Sequence, residues 1–218
     1  MKSRIKLSLF LAVLFICTNV TASFAQTKED IISGKADITW LGLDFSQVKF
    51  KDSISTTPPS PGLPSKVTND DFKNKYIIGW NQIFTTEQKK YDIAKNIGYD
   101  KPISYDLDIT YQANNKLTRD FFTTSNSDYK TITESKIAEL VKKYDFQGKT
   151  GVGLIVFVDG MSKDRIEAGA WVTFVNMGTK KVLLTAYRTG KPEGFGLKNY
   201  LARAFLNIVK DSNPADMK

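Results

Sequence analysis

Residues 151–158 read Gly-Val-Gly-Leu-Ile-Val-Phe-Val, and no other stretch of the 218-residue chain constrains the fold as tightly. An extended segment with no polar side chain on either face suits a central strand covered on both sides. Two further strand-like segments follow, 167–176 and 181–188. Asn176-Met177-Gly178-Thr179 joins them with residues that tolerate positive φ, which predicts an antiparallel hairpin. From 195 to 210, Leu197, Tyr200/Leu201, Ala204/Phe205 and Ile208 recur at helical spacing, with Phe195 read as a plug in the core.

Upstream, Ile38-Thr39-Trp40 and Leu43-Asp44-Phe45 alternate, with a change of phase at Gly42 that predicts a bulged first strand. Four prolines within 56–65 exclude regular structure there and predict an exposed loop. Thr68 with Asp71 reads as a capping box before Phe72, Tyr76, Trp80 and Ile83/Phe84, and Thr85 with Gln88 as a second one, the helix ending at Gly98. Ile103, Tyr105, Leu107, Ile109 and Tyr111 alternate with polar residues and predict a half-buried strand. Asn114-Asn115 then read as a turn, and 117–124 as a short partner strand. Thr131 and Glu134 cap a helix carrying Ile137, Leu140, Val141 and Tyr144. The order β-α-β-α-β-β-β-α makes this an α/β (α+β) chain. It is expected to form a single domain over 36–210, a mixed sheet with helices mainly on one face and a C-terminal antiparallel meander covered by helices. Residues 26–35 read as a polar leader and 211–218 as a tail.

The amino terminus carries an address. Lys2, Arg4 and Lys6 precede an eleven-residue apolar run, Leu7 to Cys17, and Ser23-Phe24-Ala25 forms a small-x-small site before Gln26. The run is short of the roughly 20 residues that span a bilayer, so 1–25 reads as a cleaved signal peptide. The expected location is the periplasm, with secretion or peripheral attachment to the outer membrane as alternatives, and no transmembrane segment. Cleavage removes three of the 31 basic residues, none of the 23 acidic ones and the only cysteine, so net charge falls from +8 to +5 and no disulfide can form. Lysines alternate with acids in place of clustering, which argues against a nucleic-acid partner.

The chain has no histidine. Ser-His-Asp triads, Cys-His pairs and His/Cys zinc sites are therefore excluded, and no stretch implies a cofactor. Ser46-Gln47-Val48-Lys49 and Lys149-Thr150-Gly151 imitate serine acyl-transferase motifs. Ser46 follows a strand, however, where that chemistry needs it to open a helix. Asp106 and Asp108, at i and i+2 on the predicted strand, read as a wet face, and 159–167 as a hairpin loop. The segment 131–210, with its apolar strand GLIVFVDG, its strand-turn-strand unit and the GFG start of the closing helix, resembles the amino-terminal domain of TolB and CsgG-type envelope domains. That resemblance implies a binding or assembly module.

The expectation is thus a non-enzymatic module that binds another envelope protein through a strip at Trp171, Val175 and Tyr187. The alternative is a small-ligand or glycan binder using Lys191, Gly194, Gly196 and Lys198, where free N–H groups and lysines could hold an anion. A carboxylate or Ser/Lys hydrolase ranks last.

Overall fold

The structure is a computed structural model that describes residues 26–51, 67–118, 120–162 and 165–217. Residues 1–25, read above as a signal peptide, and the proline-rich segment 56–65, expected to be an exposed loop, lie outside the described residues. Helix α1 (Lys28–Ile32) occupies the expected polar leader, closed by a Thr27/Asp30 capping box and anchored by buried Ile31. Strands β1 (Ile38–Asp44) and β2 (Lys49–Lys51) follow. Helix α2 runs from 69 to 86 in three segments, Asn69–Asp71, the π-helical Phe72–Ile77 and Ile78–Thr86, and begins with the expected Thr68/Asp71 capping box. The second expected capping box does not form. The Thr85 hydroxyl donates to the Gln82 carbonyl, and short helices α3 (Gln88–Tyr91) and α4 (Ile93–Asn96) lead to Gly98 at φ +67°.

The alternating segment 103–111 is the largest departure from expectation. Only β3 (Ser104–Tyr105) is extended, and α5 (Asp108–Asn115) then takes in both Asn114 and Asn115 in place of the predicted turn. The cause lies across the sheet. β3 pairs with Thr39 and Trp40 alone, and beyond them the edge of β1 is satisfied by helix side chains. The Thr110 hydroxyl donates to Leu41 O, and the Asn114 amide receives Phe45 N at 2.9 Å and donates to Leu43 O at 2.9 Å. From α2, Asn81 receives Leu43 N at 2.7 Å and donates to Leu43 O at 3.1 Å. A buried strand edge must be paired by something, and here three helix side chains do it where a longer β3 would. The Asn81 amide and the Thr110 hydroxyl also crowd Gly42, the bulge position at φ +105°, where a Cβ would meet both.

The chain continues through β4 (Phe122–Thr123), α6 (Glu134–Lys143), β5 (Val152–Ser162), β6 (Glu167–Asn176), β7 (Lys181–Gly190) and α7 (Leu197–Lys210). The N-cap of α6 is Thr133, which accepts from Lys136 N, not Thr131. β5 is buried along its whole length. It lies parallel to β1 and then to β2 on one edge and antiparallel to β6 on the other, while β7 pairs with β6. The expected antiparallel meander is met in part, because β5 also belongs to the parallel half of a mixed sheet. The β6–β7 turn takes its positive φ at Lys180, with Thr179 N bonded to the Asn176 side chain.

Helices cover both faces, not mainly one. Trp40, Phe45, Phe50, Val156 and Phe174 pack with Phe72, Trp80 and Phe205 of α2 and α7. On the opposite face Leu41, Ile155, Phe157 and Val175 pack with Ile109, Ile137 and Val141 of α5 and α6. Trp80 Nε1 donates to Lys198 O at 3.0 Å, tying α2 to the first turn of α7.

Candidate functional site

The segment after β7 is built to display one side chain. At Gly190 the strand passes so close to α7 that a Cβ would strike the Ala204 carbonyl. The chain then turns outward, and Gly194 at φ +105° and Gly196 at φ +78° flank Phe195. Both glycines hold conformations that L side chains rarely adopt. Phe195 is 86% exposed and Tyr200, one turn into α7, 36% exposed, so Phe195 does not plug the core and Tyr200 does not face it. The loop is nevertheless held. Asn207 Nδ2 donates to Lys191 O at 2.9 Å, Glu193 N donates to Tyr200 O at 3.2 Å, and Arg203 Nε pairs with Glu193 at 3.3 Å. The Lys198 stem lies along Gly79 of α2. Lys191, Gly194 and Gly196 thus belong to one pinned loop and Lys198 to the first turn of α7, and the outward feature of the loop is the exposed Phe195 ring and not a ring of converging donors.

Trp171 and Tyr187 do meet, edge to face at 5.6 Å, but the expected exposed strip is not there. Val175 is fully buried beneath α6, and Trp171 is half-buried with Nε1 donating to Ile132 O at 2.9 Å. These rings belong to a polar cluster that the sequence reading missed. β5 runs on through the expected 159–167 loop to Ser162, so Asp159 sits inside a strand at a bulge and is fully buried. Its carboxylate accepts from Thr131 N at 3.2 Å, Thr131 Oγ1 at 3.2 Å and Ile132 N at 3.3 Å. Burial pushes the Asp159 pKa up, and the three hydrogen bonds and Lys130 oppose the rise.

Nearby, the Tyr129 hydroxyl donates to Glu167 at 2.8 Å, and its ring lies over Gly160 while the Tyr187 hydroxyl fills the space above Gly169. Burial, more than any neighbour, drives both phenols well above the usual tyrosine range. Lys130, at φ +62°, and Arg165 stand over the Tyr187 and Tyr129 rings at 4.9 and 5.1 Å. The engaged Asp159 carboxylate and the Tyr129–Glu167 hydrogen bond make a latch for the segment before α6, while the buried Tyr187 hydroxyl has no hydrogen-bond partner. The paired glycines 160 and 169, with Tyr129 and Tyr187 among charged residues, were the signal available in the sequence.

The remaining motifs are drawn into structure. Asp106 and Asp108 do not share a strand face. Asp106 accepts from Asp108 N at 3.2 Å at the start of α5 and forms an ion pair with Lys149, the lysine of the Lys149-Thr150-Gly151 fragment. Lys49 donates to Asp120 O at 2.9 Å from β2. The Tyr144 hydroxyl donates to buried Asp44 and is held protonated by burial and by that carboxylate. Among the described residues no three His, Cys, Asp or Glu side chains group as metal ligands, and no helix is long and apolar enough to cross a membrane. A separate open cleft of about 600 Å³ lies at α4 and the following turn, lined by Asp92, Lys95, Tyr99, Lys101 and Tyr105 among others. No protein-family model, curated protein or solved structure matches the chain.

Proposed function

We propose that this is an exported, non-enzymatic module of the cell envelope that docks on another envelope protein, and that the docking element is the 190–196 loop. The observation that carries the reading is the 86% exposure of Phe195 on a loop whose conformation is held by hydrogen bonds and an ion pair. A large apolar side chain displayed on a pinned support loses little entropy on binding, and such aromatic anchors dominate interface energies. The engagement of Asp44, Asp106 and Asp159 in bonds to neighbouring elements supports a non-enzymatic role. Residues 131–210 also carry the resemblance to TolB amino-terminal and CsgG-type domains, and the periplasm is the compartment this reading requires.

Co-purification of the tagged mature chain from its host's envelope, with Phe195→Ala and Trp171→Ala variants, tests it. The Phe195→Ala variant should lose the envelope partner and Trp171→Ala should keep it; equal capture by both would refute the loop as the docking element. A second reading, small-ligand binding, is favoured by the cleft walled by Tyr99 and Tyr105, where rings and carboxylates of the kind that hold a polar ligand lie together. Ligand-induced change in tyrosine fluorescence, abolished by Tyr105→Ala, would support that reading.

A further inference from the structure

Gln26 is half-buried, and its side chain is folded against the turn that opens β5. Its Oε1 is buried with no hydrogen-bond partner and lies 3.8 Å from where a Cβ on Gly151 would stand, with the Met177 methyl 3.9 Å from the same point. The next residue is already committed to other bonds. Thr27 N donates to Asp30 at 2.9 Å, and the Thr27 hydroxyl receives Asp30 N at 3.3 Å, which closes the capping box of α1. Residue 26 can therefore change chemically without disturbing the element that follows it.

We propose that Gln26 is a modification site: once the signal peptide is cut behind Ala25, its free α-amine closes on its own side chain to form pyroglutamate. This rests on the export reading above. The neutral amine attacks Cδ, the N–Cδ bond forms, the Cδ–Nε2 bond breaks, and Nε2 departs as ammonia carrying the proton released by the amine. No oxidant, reductant or second substrate is consumed. Attack within one residue to give a five-membered ring has the advantage of effective concentration that intramolecular reactions enjoy. The product also suits its position. Cleavage alone leaves the carboxamide folded beside Gly151 and Met177 with its buried oxygen unpaired, and an unpaired buried polar group is costly. The lactam removes the charge and the NH₂ group and keeps one carbonyl and one N–H.

The test is the mass and amino-terminal sequence of the chain recovered after export, alongside a Gln26→Asn variant, whose shorter side chain would have to close a strained four-membered ring. The proposal expects a chain that starts at residue 26, is lighter than the encoded sequence by about 17 Da, the ammonia lost, resists Edman degradation, and is unblocked by pyroglutamyl aminopeptidase. The Gln26→Asn chain should show full mass and a free amine. A folded chain starting at Gln26 with full mass and a reactive amine overturns the modification while leaving export standing. A chain starting at any other residue overturns the cleavage site and the modification with it.

Discussion

Two asparagines carry a share of the fold that their polarity would not foretell. Asn81 and Asn114 together occupy the N–H and carbonyl of Leu43 in β1 and the N–H of Phe45 just beyond it. Replacing Asn114 by Ala leaves Phe45 N unpaired and Leu43 O with Asn81 alone, and should lower unfolding free energy by about 1–3 kcal/mol in urea titration; a loss under about 0.5 kcal/mol would contradict the role given to these amides. Asp159 makes a pH-dependent contribution. Its pKa is raised in the folded chain, so the folded state binds the proton more tightly than the unfolded state. Stability from this group is fully present at acid pH, below the unfolded carboxylate range, and is lost as pH climbs through the folded pKa. The Asp159→Asn variant lacks that loss, so its stability relative to the parent should rise with pH across this window. A difference independent of pH would contradict the buried, upshifted carboxylate. Gly169 is a third case. An added Cβ meets the Tyr187 hydroxyl first and its Cζ next, so Gly169→Ala should destabilise by about 1–3 kcal/mol and be partly rescued by Tyr187→Phe. Strict additivity in that double-mutant cycle would place the clash elsewhere.

At the scale of elements, what could be read from the sequence is what local rules determine. The Thr68/Asp71 capping box, the helical spacing from Phe72 to Phe84, the doubly buried β5 run and the β6–β7 hairpin all follow from residues near one another in the chain, and the structure has each. The strict alternation of 103–111 points to a strand only while its surroundings are unknown. In the fold, Ile109 and Ala113 face the α5/α6 side of the core, and Thr110 and Asn114 reach β1, which is helical spacing filled with polar contacts made across the molecule. Tertiary pairing therefore overrides the period-2 pattern. The candidate site was legible in the same uneven way. The glycines of 190–196 pointed to an unusual loop, whereas the direction of Phe195 depends on how closely Gly190 packs on α7. Likewise Trp171 was singled out in the sequence as part of a docking strip, but its partner Ile132 is supplied by a segment 39 residues away. Backbone NMR shifts over 108–115 should be helical, and extended-strand shifts there would contradict the assignment of α5.

At the scale of the whole molecule, the only cysteine is Cys17, so on the proposed export the chain left after cleavage behind Ala25 would have no disulfide and would rely on packing. Helices on both faces of the mixed sheet provide it, burying aromatic and branched aliphatic side chains on the α2/α7 face and on the α5/α6 face alike. Stability and docking are then separable. Phe195 contributes little to the core, so Phe195→Ala should change unfolding free energy by less than about 0.5 kcal/mol, yet weaken docking by about 2 kcal/mol or more. The most direct test of the central claim is site-specific photocrosslinking in living cells, with a photoreactive amino acid at position 195 and, separately, at exposed Ile166 in the β5–β6 connection. A discrete adduct with one envelope protein from position 195, absent from position 166, is the predicted result; no adduct from 195, or the same adducts from both positions, would contradict it.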